Sequence, residues 1–79
     1  MPTVLQLFGL VFRIYTRDHF PPHVHVISPD GEAKFTISET AVELVQNRGM
    51  KQKDVNLSLS IIEENRERLI NEWNKIHQI

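Results

Sequence analysis

A chain of 79 residues with 41% apolar side chains can enclose one modest core, because a domain this small buries a smaller fraction of its surface than a larger one. Nine basic against ten acidic side chains give a net charge of -1, which excludes the global basic field of a dedicated nucleic-acid binder and leaves room only for a local cationic patch. No cysteine is present, so disulfides and thiolate metal sites are excluded and a reducing cytoplasm is the expected location.

One domain, 1–79, is the expected organisation, with a sheet over about 3–45 and a helix over about 51–77. No basic region precedes an apolar stretch at Met1-Pro2-Thr3-Val4, and no apolar run approaches the ~20 residues that span a bilayer. No membrane association is expected. Leu5 and Leu7 alternate with Gln6, and Phe12 and Ile14 alternate with Arg13 and Tyr15 around Gly9-Leu10. A two-residue turn with glycine first predicts a hairpin in which Leu7 faces Phe12 and Leu5 faces Ile14, with Gln6 and Arg13 on the reverse.

Phe20-Pro21-Pro22 carries two residues without a backbone donor and therefore reads as the connection to a second hairpin. That hairpin runs from His23 to Ser28 and from Glu32 to Ile37, with Asp30-Gly31 as a type I′ turn. Its register predicts Val24 opposite Ile37, Val26 opposite Phe35 and Ser28 opposite Ala33 on the core face. His23 then meets Ser38, His25 meets Thr36 and Ile27 meets Lys34 on the reverse, so the histidines point away from the core.

Ala41 to Val45 reads as a fifth strand in preference to one helical turn, and Asn47-Arg48-Gly49 ends it. From Lys51 onward there is no Gly or Pro, and Val55, Leu59, Ile62, Leu69, Trp73 and Ile76 recur at four- and three-residue steps interrupted at Arg66. This spacing predicts one long C-terminal helix. A competing period-two alternation runs through Val55 to Ile61. The expected fold is α+β: a small antiparallel sheet of two hairpins plus the fifth strand, packed on that helix and open on its other face.

Three of the four histidines lie inside Asp18-His19-Phe20-Pro21-Pro22-His23-Val24-His25. On a strand, His23 and His25 share a face, and His19 can reach it from the loop. Imidazoles grouped with Lys34 suit acid–base chemistry on RNA without a cofactor: one abstracts a 2′-hydroxyl proton, another protonates the leaving oxygen, and His19 and Lys34 assist. The alternative is a zinc or other transition-metal site at His19, His23 and His25, with Asp18 in place of His19 as a third-ligand option. A structural role, with the imidazoles hydrogen-bonding neighbouring groups, is the plainest reading. Arg13, Arg48, Lys51 and Lys53 are the candidate nucleic-acid contacts, the last three clustering where the helix begins. Trp73 reads as an anchor of the helix to the core.

The block His19-Phe20-Pro21-Pro22-His23-Val24-His25-Val26, taken with Pro2-Thr3-Val4-Leu5, Gly31-Glu32-Ala33-Lys34-Phe35, Asn47-Arg48-Gly49, Glu64-Asn65-Arg66 and Trp73-Asn74, resembles the bacterial family called domain of unknown function 4160 over essentially the whole chain. The resemblance implies a hallmark of His19, Pro21, Pro22, His23 and His25, with no established catalytic role for any of them. It also implies a small protein partner, since genes of the family often lie beside a small neighbour and are proposed as toxin–antitoxin components. The chain departs from the family at Lys51-Gln52, where a Ser-Pro helix start is usual, and this weakens the N-cap. The function expected on these grounds is that of a toxin component acting on RNA; the alternative is a binding module for protein or nucleic acid.

Overall fold

The computed structural model describes residues 3–78 and confirms the α+β class. Its five strands are β1 (Thr3–Leu7), β2 (Leu10–Arg13), β3 (His23–Ile27), β4 (Glu32–Ile37) and β5 (Val42–Arg48). They form one antiparallel sheet in the order β1-β2-β3-β4-β5, and two helices follow, α1 (Gln52–Glu64) and α2 (Arg66–Ile76). Every strand thus pairs with its neighbour in sequence. No helix among the described residues is long and apolar enough to cross a membrane.

Both hairpins are slipped by two residues from the predicted register. In the first, Leu7 pairs Leu10 and Leu5 pairs Phe12, because the turn is Phe8-Gly9, with φ of 53° and 77°. Positive φ at both central positions is the type I′ geometry whose twist matches the strands. In the second, Val24 pairs Phe35, Val26 pairs Ala33, and His25 pairs Lys34 in place of Thr36. Here Ser28, not the Asp30-Gly31 pair, organises the turn: its Oγ accepts from the amides of Asp30 and Gly31 at 3.2 and 3.1 Å, and its own amide donates to the Gly31 carbonyl at 2.8 Å. A slip of two leaves every side chain on its predicted face, since strand side chains alternate with period two.

Gly31 has a different role from the one its place in a turn suggests. A Cβ there would run into the Arg48 carbonyl oxygen and lie 2.8 Å from the Gly49 carbonyl carbon, so glycine is required for the close approach of the β3–β4 turn to the end of β5. Gly31→Ala is expected to cost on the order of 1–3 kcal/mol by overpacking against backbone. A lowered urea midpoint checks this, and an unchanged midpoint would refute the close approach.

The strand β5 extends three residues beyond the predicted stretch, to Arg48, and a bulge falls where Lys34 pairs Gln46 but Phe35 pairs Leu44. The extra residue, Val45, is exposed. The predicted single helix is two consecutive pieces. At Asn65 (φ -112°, ψ 17°) the side-chain amide donates back to the Ile61 carbonyl at 2.8 Å, the local competition with helical bonding that asparagine offers. The Leu69 amide then bonds the Asn65 carbonyl, so α2 resumes at once. As the Lys51-Gln52 departure implies, α1 has no side-chain N-cap bond.

Phe12, Ile14, Val24, Val26, Phe35 and Ile37 from the sheet meet Val55, Ile62, Leu69 and Trp73 from the helices, and all are buried. Both helices therefore cover one sheet face. On the other, Arg13, His25, Lys34 and Gln46 form one cross-strand row.

Candidate functional site

The loop between β2 and β3 leaves the sheet at Tyr15 and returns at His23, and it carries Asp18 back over the start of β3. Three contacts hold it there. The Asp18 amide donates to the Tyr15 carbonyl at 3.2 Å. Phe20, which precedes a cis peptide bond to Pro21, sets its ring edge-on to Trp73 with centroids 6.0 Å apart. His77, stacked on Trp73 at 3.7 Å, sets Nδ1 and Nε2 2.9 and 3.0 Å from the Trp73 and Asp18 carbonyl oxygens, and a single ring N–H donates to one of the two. The end of α2 thus clamps the loop by its backbone and leaves the Asp18 carboxylate free to turn inward.

That carboxylate meets both strand histidines. Asp18 Oδ2 lies 2.9 Å from His23 Nε2 and 3.0 Å from His25 Nε2. One ligand atom from each of the three residues falls within 4.8 Å of the others. The opposite nitrogens are also engaged: His23 Nδ1 is 2.8 Å from the Pro21 carbonyl oxygen, and His25 Nδ1 is 3.2 Å from Glu32 Oε2. Carbonyl and ionised carboxylate oxygens only accept, and each ring has such an oxygen at both nitrogens, so a single N–H cannot serve both. With the N–H on Nδ1 and a cation between Asp18 and the two Nε2 lone pairs, every contact is satisfied. The three groups can thus form a ligand set for a cation.

The three side chains are 9% (His23), 14% (His25) and 21% (Asp18) exposed. Both histidines stand on the predicted face, but His23 is not open to solvent there. His23 is buried, with its ring 5.1 Å from that of Trp73, because the loop and the end of α2 close over the start of β3. On the open face, the ring of Tyr15 covers His25 with centroids 4.4 Å apart.

His19 is exposed and stands outside the triad, lining a cleft of about 540 Å³ with Arg17, Phe20, His23, Lys34 and Gln46. Asp18, its neighbour, takes the place next to His23 and His25. Lys34 lines this cleft and also a smaller one of about 230 Å³ that His25, Glu32 and Arg48 share. Arg13 sits beside His25 in the cross-strand row, and its Nε is buried without a hydrogen-bond partner. Lys51 and Lys53 lie at the start of α1, away from both clefts, and Lys51 Nζ is 3.6 Å from Asp30 Oδ2.

Sequence reasoning missed Glu32, Arg17, Phe20 and His77 as parts of the site. The alternation of β4 does carry a signal for Glu32, which lies on the same face as Lys34 and so diagonally across from His25. Nothing local points to His77, whose contact with Asp18 spans 59 positions.

A family model, Domain of unknown function (DUF4160), matches residues 9–74, a stretch that contains the whole triad and both clefts. No curated protein and no solved structure matches the chain.

Proposed function

The chain belongs to the family DUF4160, and from the geometry of its loop and third strand we propose that it is a metal-dependent hydrolase holding a divalent first-row transition ion, zinc foremost, on Asp18, His23 and His25. The observation that carries this reading is the convergence of His23 Nε2 and His25 Nε2 on Asp18 Oδ2 at 2.9 and 3.0 Å, with both Nδ1 atoms anchored on oxygen. Ligating histidines characteristically donate their second nitrogen to a carbonyl or carboxylate, which sets the tautomer and makes the ligand more basic. Ligands about 2.1 Å from an ion lie about 3 Å apart in octahedral and about 3.4 Å apart in tetrahedral geometry; the Asp18 contacts at 2.9 and 3.0 Å fit the first and lie inside the second, which is usual for zinc.

Two imidazoles and one carboxylate occupy three positions and leave others open, the mark of a catalytic and not a structural centre. A metal held by Asp18, His23 and His25 would supply a bound water acidic enough to act as a nucleophile on an ester near neutral pH. The same ligand set also serves non-haem iron oxygenases. Hydrolysis of an anionic substrate is favoured here by the cleft beside His23, whose lining includes Arg17 and Lys34. Metal-free acid–base catalysis by His23 and His25 is disfavoured because all four of their ring nitrogens face oxygens of the protein itself.

Titration of zinc, cobalt and manganese into chelator-treated protein tests the reading. One ion per chain, with a cobalt absorption spectrum characteristic of nitrogen and oxygen ligands, is the expected result. Failure of all three ions to bind saturably in the micromolar range would end it. The cellular role we attach to the activity is that of the toxin in a toxin–antitoxin pair, supported by the family resemblance. Its expected sign is growth arrest on induced expression, relieved by His25→Ala.

A further inference from the structure

Phe20 is 63% exposed, yet its ring is braced against Trp73, which is fully buried. A single exposed apolar ring is ordinary on a protein surface; Phe20 is set apart by its support and by its place in a cleft. It lines the same cleft as Arg17, His19, Lys34, Thr36 and Gln46. Among the described residues, neither Arg17 nor Lys34 has a carboxylate within ion-pair distance. The cleft therefore offers two cations without an ion-pair partner, one carboxylate, Asp18, which faces the two histidines, and an aromatic platform, with amide and hydroxyl groups in the lining.

We propose that this cleft binds single-stranded nucleic acid, one base stacking on Phe20 and the neighbouring phosphates contacting Arg17 and Lys34. An aromatic platform beside cations is the combination by which single strands are held without reading their sequence. The proposal deepens the hydrolase reading, on which it rests for the reaction, by naming the substrate: His23 and Asp18 belong both to the cleft and to the triad. A phosphodiester seated on the two cations lies next to the proposed metal. A net charge of -1 is compatible with this, since the contact is local and involves few phosphates.

Fluorescence anisotropy with a labelled single-stranded RNA, a DNA of the same sequence and the corresponding duplex tests the proposal on the full-length chain. The measurements are made in chelator, so that binding is read independently of the metal. Binding of either single strand in preference to the duplex is expected, and the preferred strand identifies the sugar. Phe20→Ala is expected to weaken it on the order of ten- to a hundred-fold. Phe20→Trp should retain it. Lys34→Gln should reduce the slope of log affinity against log salt by about 0.7, one phosphate contact. Circular dichroism of each variant verifies the fold, and Phe20→Trp, which keeps an aromatic contact with Trp73, separates loss of the platform from a shift of the loop.

Absence of binding to both single strands would overturn the proposal, as would unchanged affinity in Phe20→Ala. Equal affinity for polyglutamate would also overturn it and make the cleft a groove for acidic protein. Success here with no metal uptake in the titration would retain the nucleic-acid site and remove the hydrolase, whereas metal uptake without oligonucleotide binding would do the reverse.

Discussion

Trp73→Ala is expected to remove a large part of the protein's folding stability. The side chain is fully buried and touches three aromatic neighbours, with ring centroids 3.7 Å away at His77, 5.1 Å at His23 and 6.0 Å at Phe20. Truncating a buried tryptophan costs about 3–5 kcal/mol. A domain of 79 residues is stable by roughly 4–12 kcal/mol. At the lower end of that range the loss is comparable to the total. The loop is affected as well as the core, because His77 stacks on Trp73 and holds the Asp18 carbonyl.

Trp73→Phe separates the two contributions of the residue. The indole Nε1 is buried without a hydrogen-bond partner, and an unsatisfied buried N–H costs about 1–3 kcal/mol. Phenylalanine removes that cost while keeping much of the ring, so it should destabilise far less than alanine. Urea unfolding followed by circular dichroism measures both, since the variants lack the chain's one tryptophan fluorophore. Equal losses in the two variants would show that the six-membered ring alone contributes little to the packing.

The second large effect is expected at His25. His25→Ala removes one proposed ligand from a half-open face, so metal binding should fall from one ion per chain to none detectable while the core stays intact. Glu32→Ala provides the graded comparison. It touches only the far nitrogen of the imidazole, at 3.2 Å, and loss of such an outer partner typically weakens metal affinity 10- to 100-fold. Calorimetric titration of both variants against the wild type checks the order. Metal bound by His25→Ala as tightly as by the wild type would eliminate the site, and an unaffected Glu32→Ala would remove its orienting role.

Much of this architecture was legible in the residue pattern, for identifiable reasons. Alternation in His23 to Ile27 and Glu32 to Ile37 assigns each side chain to a face whatever the register, and both hairpins kept their faces despite slipping by two residues. The register itself was not legible, because turn residues compete. At the first hairpin Phe8 takes a positive φ ahead of Gly9; at the second, Ser28 captures two amides and shifts the turn one residue earlier than Asp30-Gly31 suggested. The helical seam was correct, but the break at Asn65 depends on one side-chain bond to the Ile61 carbonyl, and periodicity averages over such details.

For the site the division is sharper. That His23 and His25 lie on one side of one strand follows from a two-residue repeat, a property of the backbone that needs no tertiary contact. Which acid meets them does not follow from the chain alone: Asp18 and His19 are neighbours in one loop and equally plausible by spacing. Asp18 reaches the imidazoles because α2 packs its last turn against that loop, with His77 gripping the Asp18 carbonyl across 59 positions while Trp73 closes over His23. The sequence by itself determined the elements, their buried faces and the histidine pair, since all of these are set by local periodicity. The register came from turn chemistry at Phe8-Gly9 and Ser28, whereas the third member of the triad and the cleft beside it depend on where the end of α2 comes to rest on the sheet, which no local pattern contains.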